Sequence, residues 1–299
     1  MSTMQLPRRP LGSSGISVSI VGLGAGHIGG DQTDSQVSEL LHAALDAGIN
    51  LIDTAPSYGN SEERIGRILR SRRAEFILST KGGYGAPDAA DWTPQAITNG
   101  IDAALRRMGT EQLDIFHLHS CPLETLQSDE LLRALADARQ AGKIRVAAYS
   151  GENEALAWAI NSGQFGCVQT SVNLADQRGL ERYIPTAVMR GIGVLAKRPL
   201  ANLAWRFSEQ PFGQYAEPYW LRLRAMGFEV GGDPSALHEL ALRFSAFAPG
   251  VSAILIGTSS LAHLRRDLEL LRAGPLPTHK EAELRALFAQ HAGDWPGQI

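Results

Sequence analysis

Short apolar runs alternate with longer stretches of helical periodicity along the whole chain. The runs at 18–23, 49–53, 75–80, 113–118, 144–149, 166–170, 192–196 and 252–256 are rich in Val, Ile, Leu and Phe and lack strict polar alternation. That is how strands read when both faces of the sheet are covered. Apolar positions at helical spacing fill the gaps at 34–47, 61–71, 94–107, 129–141, 152–162, 180–190, 234–247 and 260–272. Thr33 with Gln36 and Asn60 with Glu63 read as capping boxes, and Thr93 precedes Pro94 at a first helical position. Gly48 and Gly142 fall where a helix end needs a left-handed residue. Eight strands alternating with eight helices predict an α/β fold, a (β/α)8 TIM barrel, built as one domain over 1–299. The segment 5–17, with Gly12 and Gly15, predicts an N-terminal hairpin. The segment 279–291 predicts an extra C-terminal helix with Thr278 and Glu281 as its capping box.

The connection from 199 to 232 is longer than a βα loop requires and carries Trp205, Phe207, Phe212, Tyr215, Tyr219 and Trp220. Such a segment is expected to lie over the barrel mouth and to line an apolar pocket with Trp92 or Trp295. Arg206, Arg222 and Arg224 weigh the other way, since an inward guanidinium favours carboxylate-bearing ligands.

Composition narrows the functional classes. The 299 residues are 44% hydrophobic and 20% charged with a net charge of −3, which gives no electrostatic case for nucleic acid or a membrane surface. The opening Met1-Ser2-Thr3-Met4-Gln5-Leu6-Pro7-Arg8-Arg9 lacks the apolar core of a signal peptide, and no apolar run has the length of a membrane span. Two cysteines, Cys121 and Cys167, are too few for a disulfide framework, so a cytoplasmic location is expected.

Asp53, Tyr58, Lys81 and His119 each sit at or just past the end of a predicted strand, on three successive βα units. Taken singly, each has an ordinary explanation: a turn-capping acid, a packed surface phenol, a solvated strand end, a buried imidazole. Together they converge on the barrel face where the strands end, and an acid, a phenol, an amine and an imidazole there form a proton-donating set. His117 and His119 lie two apart on one strand, so a metal-dependent barrel hydrolase is an alternative. The ends of the later strands supply Ser150, Gln169, Lys197 and Thr258, which are poor metal ligands, so no metal site is assigned. Nothing near Cys121 activates it as a nucleophile, and it is read as a pocket wall.

These residues resemble the aldo-keto reductase superfamily. The likeness rests on Leu11-Gly12-Ser13-Ser14-Gly15-Ile16-Ser17-Val18-Ser19 with Gly22-Leu23-Gly24, on Asp53-Thr54-Ala55-Pro56-Ser57-Tyr58-Gly59 with Ser61-Glu62, and on Leu105-Arg106-Arg107-Met108-Gly109 leading to Asp114 and His119. It implies NAD(P)H-dependent reduction of small-molecule aldehydes or ketones to alcohols. Tyr58 would be the proton donor, Lys81 the ammonium that stabilises its phenolate, Asp53 the partner of Lys81, and His119 the group that orients the carbonyl. No side chain supplies hydride, so a nicotinamide cofactor is implied. The resemblance places Gly24 on the cofactor, and Ser150 and Gln169 on its carboxamide, with Gly151 where the family has Asn and Asn153 as the nearest amide. Lys197 takes the place of a stacking aromatic, Lys197 and Arg198 are expected to meet the pyrophosphate instead, and Pro199 and Leu200 match the family's cofactor-binding run. Gly257, Thr258 and Ser259 correspond to the adenosine-phosphate site, His263 to an arginine that grips the 2′-phosphate, and Arg266-Asp267 to an adenine-contacting pair. Arg265 is a further cation there. NADPH is the expected cofactor and NADH the alternative. A nucleotide-bound redox sensor or accessory barrel with little turnover is the second functional reading.

Overall fold

The computed structural model describes residues 6–231 and 234–299. Residues 1–5, where the expected hairpin begins and on which the signal-peptide reading partly rests, and Gly232 lie outside the described residues. The chain opens with an antiparallel hairpin, β1 (Arg8–Pro10) against β2 (Ser17–Ser19). Gly12, at φ +54°, takes its turn against the backbone of Gly191, where any β-carbon would stand 2.2 Å from a carbonyl oxygen. Leu11, Ile16 and Val18 from the hairpin are buried against Leu51, Ile115, Cys167, Leu195 and Ala253, so the hairpin plugs the barrel end opposite the strand C-termini.

Eight parallel strands close the barrel: β3 (Val21–Gly24), β4 (Leu51–Asp53), β5 (Ile77–Gly82), β6 (Leu113–His119), β7 (Ile144–Ser150), β8 (Cys167–Ser171), β9 (Gly193–Lys197) and β10 (Ala253–Gly257), with β10 pairing to β3. The helices around it are α1 (Asp34–Asp46), α2 (Ser61–Ile68), α3 (Pro94–Met108), α4 (Leu123–Leu126), α5 (Asp129–Gln140), α6 (Asn153–Ser162), α7 (Arg178–Arg182), α8 (Ile184–Met189), α9 (Glu217–Ala225), α10 (Pro234–Ala246), α11 (Leu261–Arg272) and α12 (Thr278–His291). Their apolar faces pack on the strands in one continuous buried cluster. The expected (β/α)8 barrel, its hairpin and its extra C-terminal helix are all present.

Several boundaries differ from the sequence reading, for local reasons. The run 18–23 is two strands, because the chain turns at Ser19–Ile20. There the Ser19 amide donates to Asn50 Oδ1 (2.6 Å) and the Ile20 amide to the Pro7 carbonyl (2.9 Å), so neither continues the barrel ladder. The 180–190 helix is two short ones, α7 and α8, broken at Tyr183, and Pro185 has no N–H with which to prolong α7. At 61–71 the α-helix ends at Ile68 and tightens into a 3-10 turn over Arg70–Glu75. Thr33 and Gln36 form a full capping box and Thr93 caps α3. Asn60 makes no side-chain cap, and Thr278 lies inside α12, whose N-cap is Pro277.

Candidate active site

Asp53 is the last residue of β4, Lys81 sits near the end of β5, and His119 ends β6, so strand register alone brings three of the four groups to one end of the barrel. Tyr58 arrives on the loop after β4. That loop crosses Gly29 so closely that a β-carbon at Gly29 would stand 1.6 Å from the Tyr58 carbonyl oxygen, and one at Gly59 (φ +56°) 2.2 Å from the Gly29 oxygen. The two glycines thus fix how far Tyr58 leans over the mouth. The loop is tied down again by buried Ser61, whose hydroxyl bonds Thr54 and the Ala25 carbonyl. Glu62, 1% exposed, accepts from Thr80 (2.6 Å) and Arg107 (2.5 Å).

Lys81 Nζ donates to Asp53 Oδ2 at 2.5 Å and to the Thr54 carbonyl at 2.9 Å, and both side chains are almost fully buried. Asp53 Oδ1 accepts from Ser79 (2.7 Å) and Gln169 (3.0 Å). Burial alone would raise the Asp53 carboxyl and lower the Lys81 amine. Their mutual attraction and hydrogen bond outweigh it, holding Asp53 below and Lys81 above the ordinary range, so both are charged. The Lys81 ammonium lies 5.3 Å from the Tyr58 ring centre. The Tyr58 and His119 rings meet edge-on with centres 6.4 Å apart. Burial, with the charges of Lys81 and Lys197, pushes His119 down to about 3, so its imidazole is neutral. His117 is fully buried, with Nε2 3.1 Å from Ser79 Oγ, and is packed inside the barrel. Among the described residues no three His, Cys, Asp or Glu side chains gather as a metal-binding set.

A cavity of about 490 Å³ opens over these groups, lined by Asp53, Tyr58 and His119. Ser150, Gln169, Gly24, Gly257 and the run Lys197–Leu200 line the same cavity, so eight of the sequence-assigned cofactor positions and three of the four catalytic ones share it. Ser150 Oγ donates to Gln169 Oε1 (3.1 Å) at its floor. At Gly257 an added β-carbon would stand 2.9 Å from the His27 ring, so the wall needs the missing side chain. Lys197 lies 3.4 Å from buried Glu152, and burial pushes its amine down to about 8. Arg198, at φ +56°, stacks its guanidinium 4.7 Å over the Tyr215 ring and donates to Ser171 and the Gln298 carbonyl. Gly151 is glycine because the Tyr149 hydroxyl occupies the space of a β-carbon (2.2 Å). Asn153 does not replace the missing amide: it exchanges hydrogen bonds with the backbone of Gly297 (2.7 and 3.2 Å).

Thr258, Ser259, His263 and Arg266 lie outside this cavity, where β10 hands over to α11. Ser260 caps that helix, and Ser259, His263 and Arg266 are exposed. Asp267 is not exposed beside them. It is buried and bonded to His238 Nε2 at 2.6 Å. The aromatic connection behaves differently from the expected lid. Trp205, Tyr219 and Trp220 pack into the core through the short turns at 201–206 and through α9, and Phe212 points to solvent. Only Tyr215 of its aromatics lines the cavity, with Asn202, Leu203 and Arg206. Trp295 packs on Phe288 and Arg222, and Trp92 on Tyr84. Two residues were given no role by the sequence: Glu152, which anchors Lys197, and Tyr84, whose hydroxyl lies 2.8 Å from His119 Nδ1. Both sit on loops with no motif spacing to flag them.

Residues 20–288 match the family model described as the aldo/keto reductase family. The chain is 27% identical over 297 residues to an uncharacterized oxidoreductase of Bacillus subtilis (strain 168), covering 94% of this chain and 95% of that one. It is 26% identical over 276 residues to L-galactose dehydrogenase of Arabidopsis thaliana, covering 87% and 86%. An aldo-keto reductase of Bacillus halodurans, solved in its holo form, superposes with a TM-score of 0.79 at 24% identity over 95% of this chain and 96% of that one, a likeness of fold.

Proposed function

The chain belongs to the aldo/keto reductase family, and from that premise we propose that it reduces aldehydes or ketones to alcohols with NADPH, Tyr58 giving the proton. The observation that carries this reading is the buried Asp53–Lys81 pair, with its ammonium 5.3 Å from the Tyr58 ring and the neutral His119 imidazole beside it. A bound nicotinamide supplies the hydride that no side chain can. The Tyr58 hydroxyl would give its proton to the carbonyl oxygen, and Lys81 would stabilise the phenolate left behind. Solvent then returns a proton to Tyr58. Asp53 keeps Lys81 charged and in place. His119 donates a hydrogen bond to the substrate oxygen and sets the carbonyl's direction.

The cavity suits such a cofactor in shape and chemistry. Its polar floor of Ser150 and Gln169 complements a carboxamide, and the wall at Gly24 and Gly257 lacks side chains. Arg198 and Arg206 at the rim complement a pyrophosphate. Ala201, Asn202 and Leu203 hold consecutive positive φ angles of 45–54°, the kind of backbone strain that ligand-binding loops retain. We assign Thr258, Ser259, His263 and Arg266, with Arg265, to the 2′-phosphate and adenosine end, and leave Asp267 out because His238 holds it. We further place the protein in the cytoplasm, consistent with two buried free thiols, and treat the whole chain as one working barrel.

Mixing purified protein with NADPH or NADH and a panel of aldehydes and ketones tests this directly. Repeated turnover with a lower Kd for NADPH is expected. Equal Kd values would remove the 2′-phosphate assignment, and tight binding without turnover would favour the accessory-barrel reading.

A further inference from the structure

We propose that Tyr84 is a positioning residue that fixes the tautomer of His119, so that Nε2 carries the proton and faces the cavity as a donor. The inference rests on the reading of His119 as the group that meets the substrate oxygen. A neutral imidazole has one N–H, so it cannot donate at both nitrogens, and its use as a donor toward a carbonyl requires the proton on the nitrogen that faces the substrate. Tyr84 Oη lies 2.8 Å from His119 Nδ1. Its ring is nearly parallel to the imidazole, at 27° with centres 5.5 Å apart. Among the described residues the Tyr84 hydroxyl bonds no other group and Nε2 of His119 has no partner. The Tyr84 proton is therefore used only when Nδ1 accepts it, which leaves Nε2 protonated.

The loop that carries Tyr84 is built to hold this contact. Gly83 has φ +120°, and a β-carbon there would stand 2.1 Å from the Trp92 ring. The Trp92 amide donates to the Gly83 carbonyl (2.6 Å) and the Gly85 amide to Asp91 (2.8 Å), so the chain on each side of Tyr84 is bonded to residues 91–92. Trp92 then backs the phenol, with ring centres 5.8 Å apart. Tyr84 thus packs on both Trp92 and His119.

The tautomer is readable without substrate or cofactor. In full-length protein labelled with ¹⁵N in its histidine rings, two-bond nitrogen–proton correlations at neutral pH should show His119 protonated at Nε2 with Nδ1 as acceptor. Tyr84→Phe keeps the stacked ring and removes the hydroxyl, and it should bring up the Nδ1-protonated form. Wild-type protein protonated at Nδ1, or an unchanged tautomer ratio in the variant, would overturn the assignment. The same variant should lower kcat for carbonyl reduction about tenfold, the scale of one lost hydrogen bond, with the NADPH Kd within twofold of wild type. A wild-type enzyme that turned nothing over would count against the reductase reading and leave the nitrogen signals to decide the tautomer.

Discussion

Lys81 meets both Tyr58 and Asp53, and substitutions separate the parts proposed for the two. Tyr58→Phe keeps the ring beside Lys81 and deletes the proton. Removing a positioned general acid costs about 10²–10⁴ in rate, so steady-state reduction of an aldehyde should fall by that factor while the NADPH Kd stays close to wild type. Reduction at the wild-type rate would show that another group donates. Asp53→Asn acts on stability instead, because it strands the Lys81 ammonium, which is 1% exposed, without its counter-charge. Breaking a buried ion pair typically costs about 3–5 kcal/mol, so the urea midpoint should drop well below that of Tyr58→Phe. Equal midpoints would mean that water or a neighbour replaces the carboxylate. Asp53, Lys81 and His119 were legible in the sequence because strand ends are fixed by the apolar runs, and a strand end fixes where a side chain points, while Tyr58 was legible only through the loop motif it shares with the family. The Tyr84–His119 contact was not, because it is made by a loop whose path depends on Gly83 meeting Trp92.

Among the elements, a capping pattern and a cap are different things, and two sites in this chain separate them. Thr33 accepts from the Gln36 amide while Gln36 Oε1 accepts from the Thr33 amide (3.0 Å), but Asn60 makes no such bond although its spacing to Glu63 is the same. Asn60 has φ −95° and ψ 23°, away from the extended conformation that aims a cap side chain at the helix, because its amide is drawn to the Gly29 carbonyl (3.3 Å) in the turn that positions Tyr58. Thr33→Ala should therefore cost about 1 kcal/mol. Asn60→Ala should fall within about 0.5 kcal/mol of wild type, the range of surface changes that break no named interaction. Thermal unfolding of the two variants checks this, and a larger loss for Asn60→Ala would show that its side chain does bind the helix start. Alternation of runs was enough to read the barrel, since each run is buried on both faces. The breaks at Ser19–Ile20 and Tyr183 depend on hydrogen bonds to distant residues or on one proline. The aromatic connection misled for a similar reason: a Trp or Tyr in a long loop covers a site or fills a core according to the helix that carries it, and α9 buries Tyr219 and Trp220.

Across the whole molecule, the buried groups set how stability depends on pH. His117 and His119 are held down to about 3 by burial, from an ordinary value of 6.5. Between those values the unfolded chain binds two protons at these positions that the folded barrel does not, so stability must fall as the pH drops through this window. Asp176 works against them. Burial raises its carboxyl to about 6 from 3.8 despite Arg178 and Arg222, so between those values the folded state holds one proton that the unfolded state does not. Asp53 is depressed, so its contribution is present above the ordinary carboxylate range and is lost only as the pH falls further, through its folded value. Lys81 is raised, so its share is lost only on the alkaline side. Near pH 5 the balance is two protons on the unfolded chain against one on the folded chain, and the slope keeps its sign. The urea midpoint should thus decline steadily from pH 7 to pH 4.5. Replacing one of the two imidazoles, as in His117→Gln, should flatten the decline toward zero even if it lowers stability at every pH. A midpoint that held level or rose on acidification of the wild-type protein would mean that these imidazoles accept protons in the folded barrel, against the neutral imidazole on which the proposed role of His119 rests.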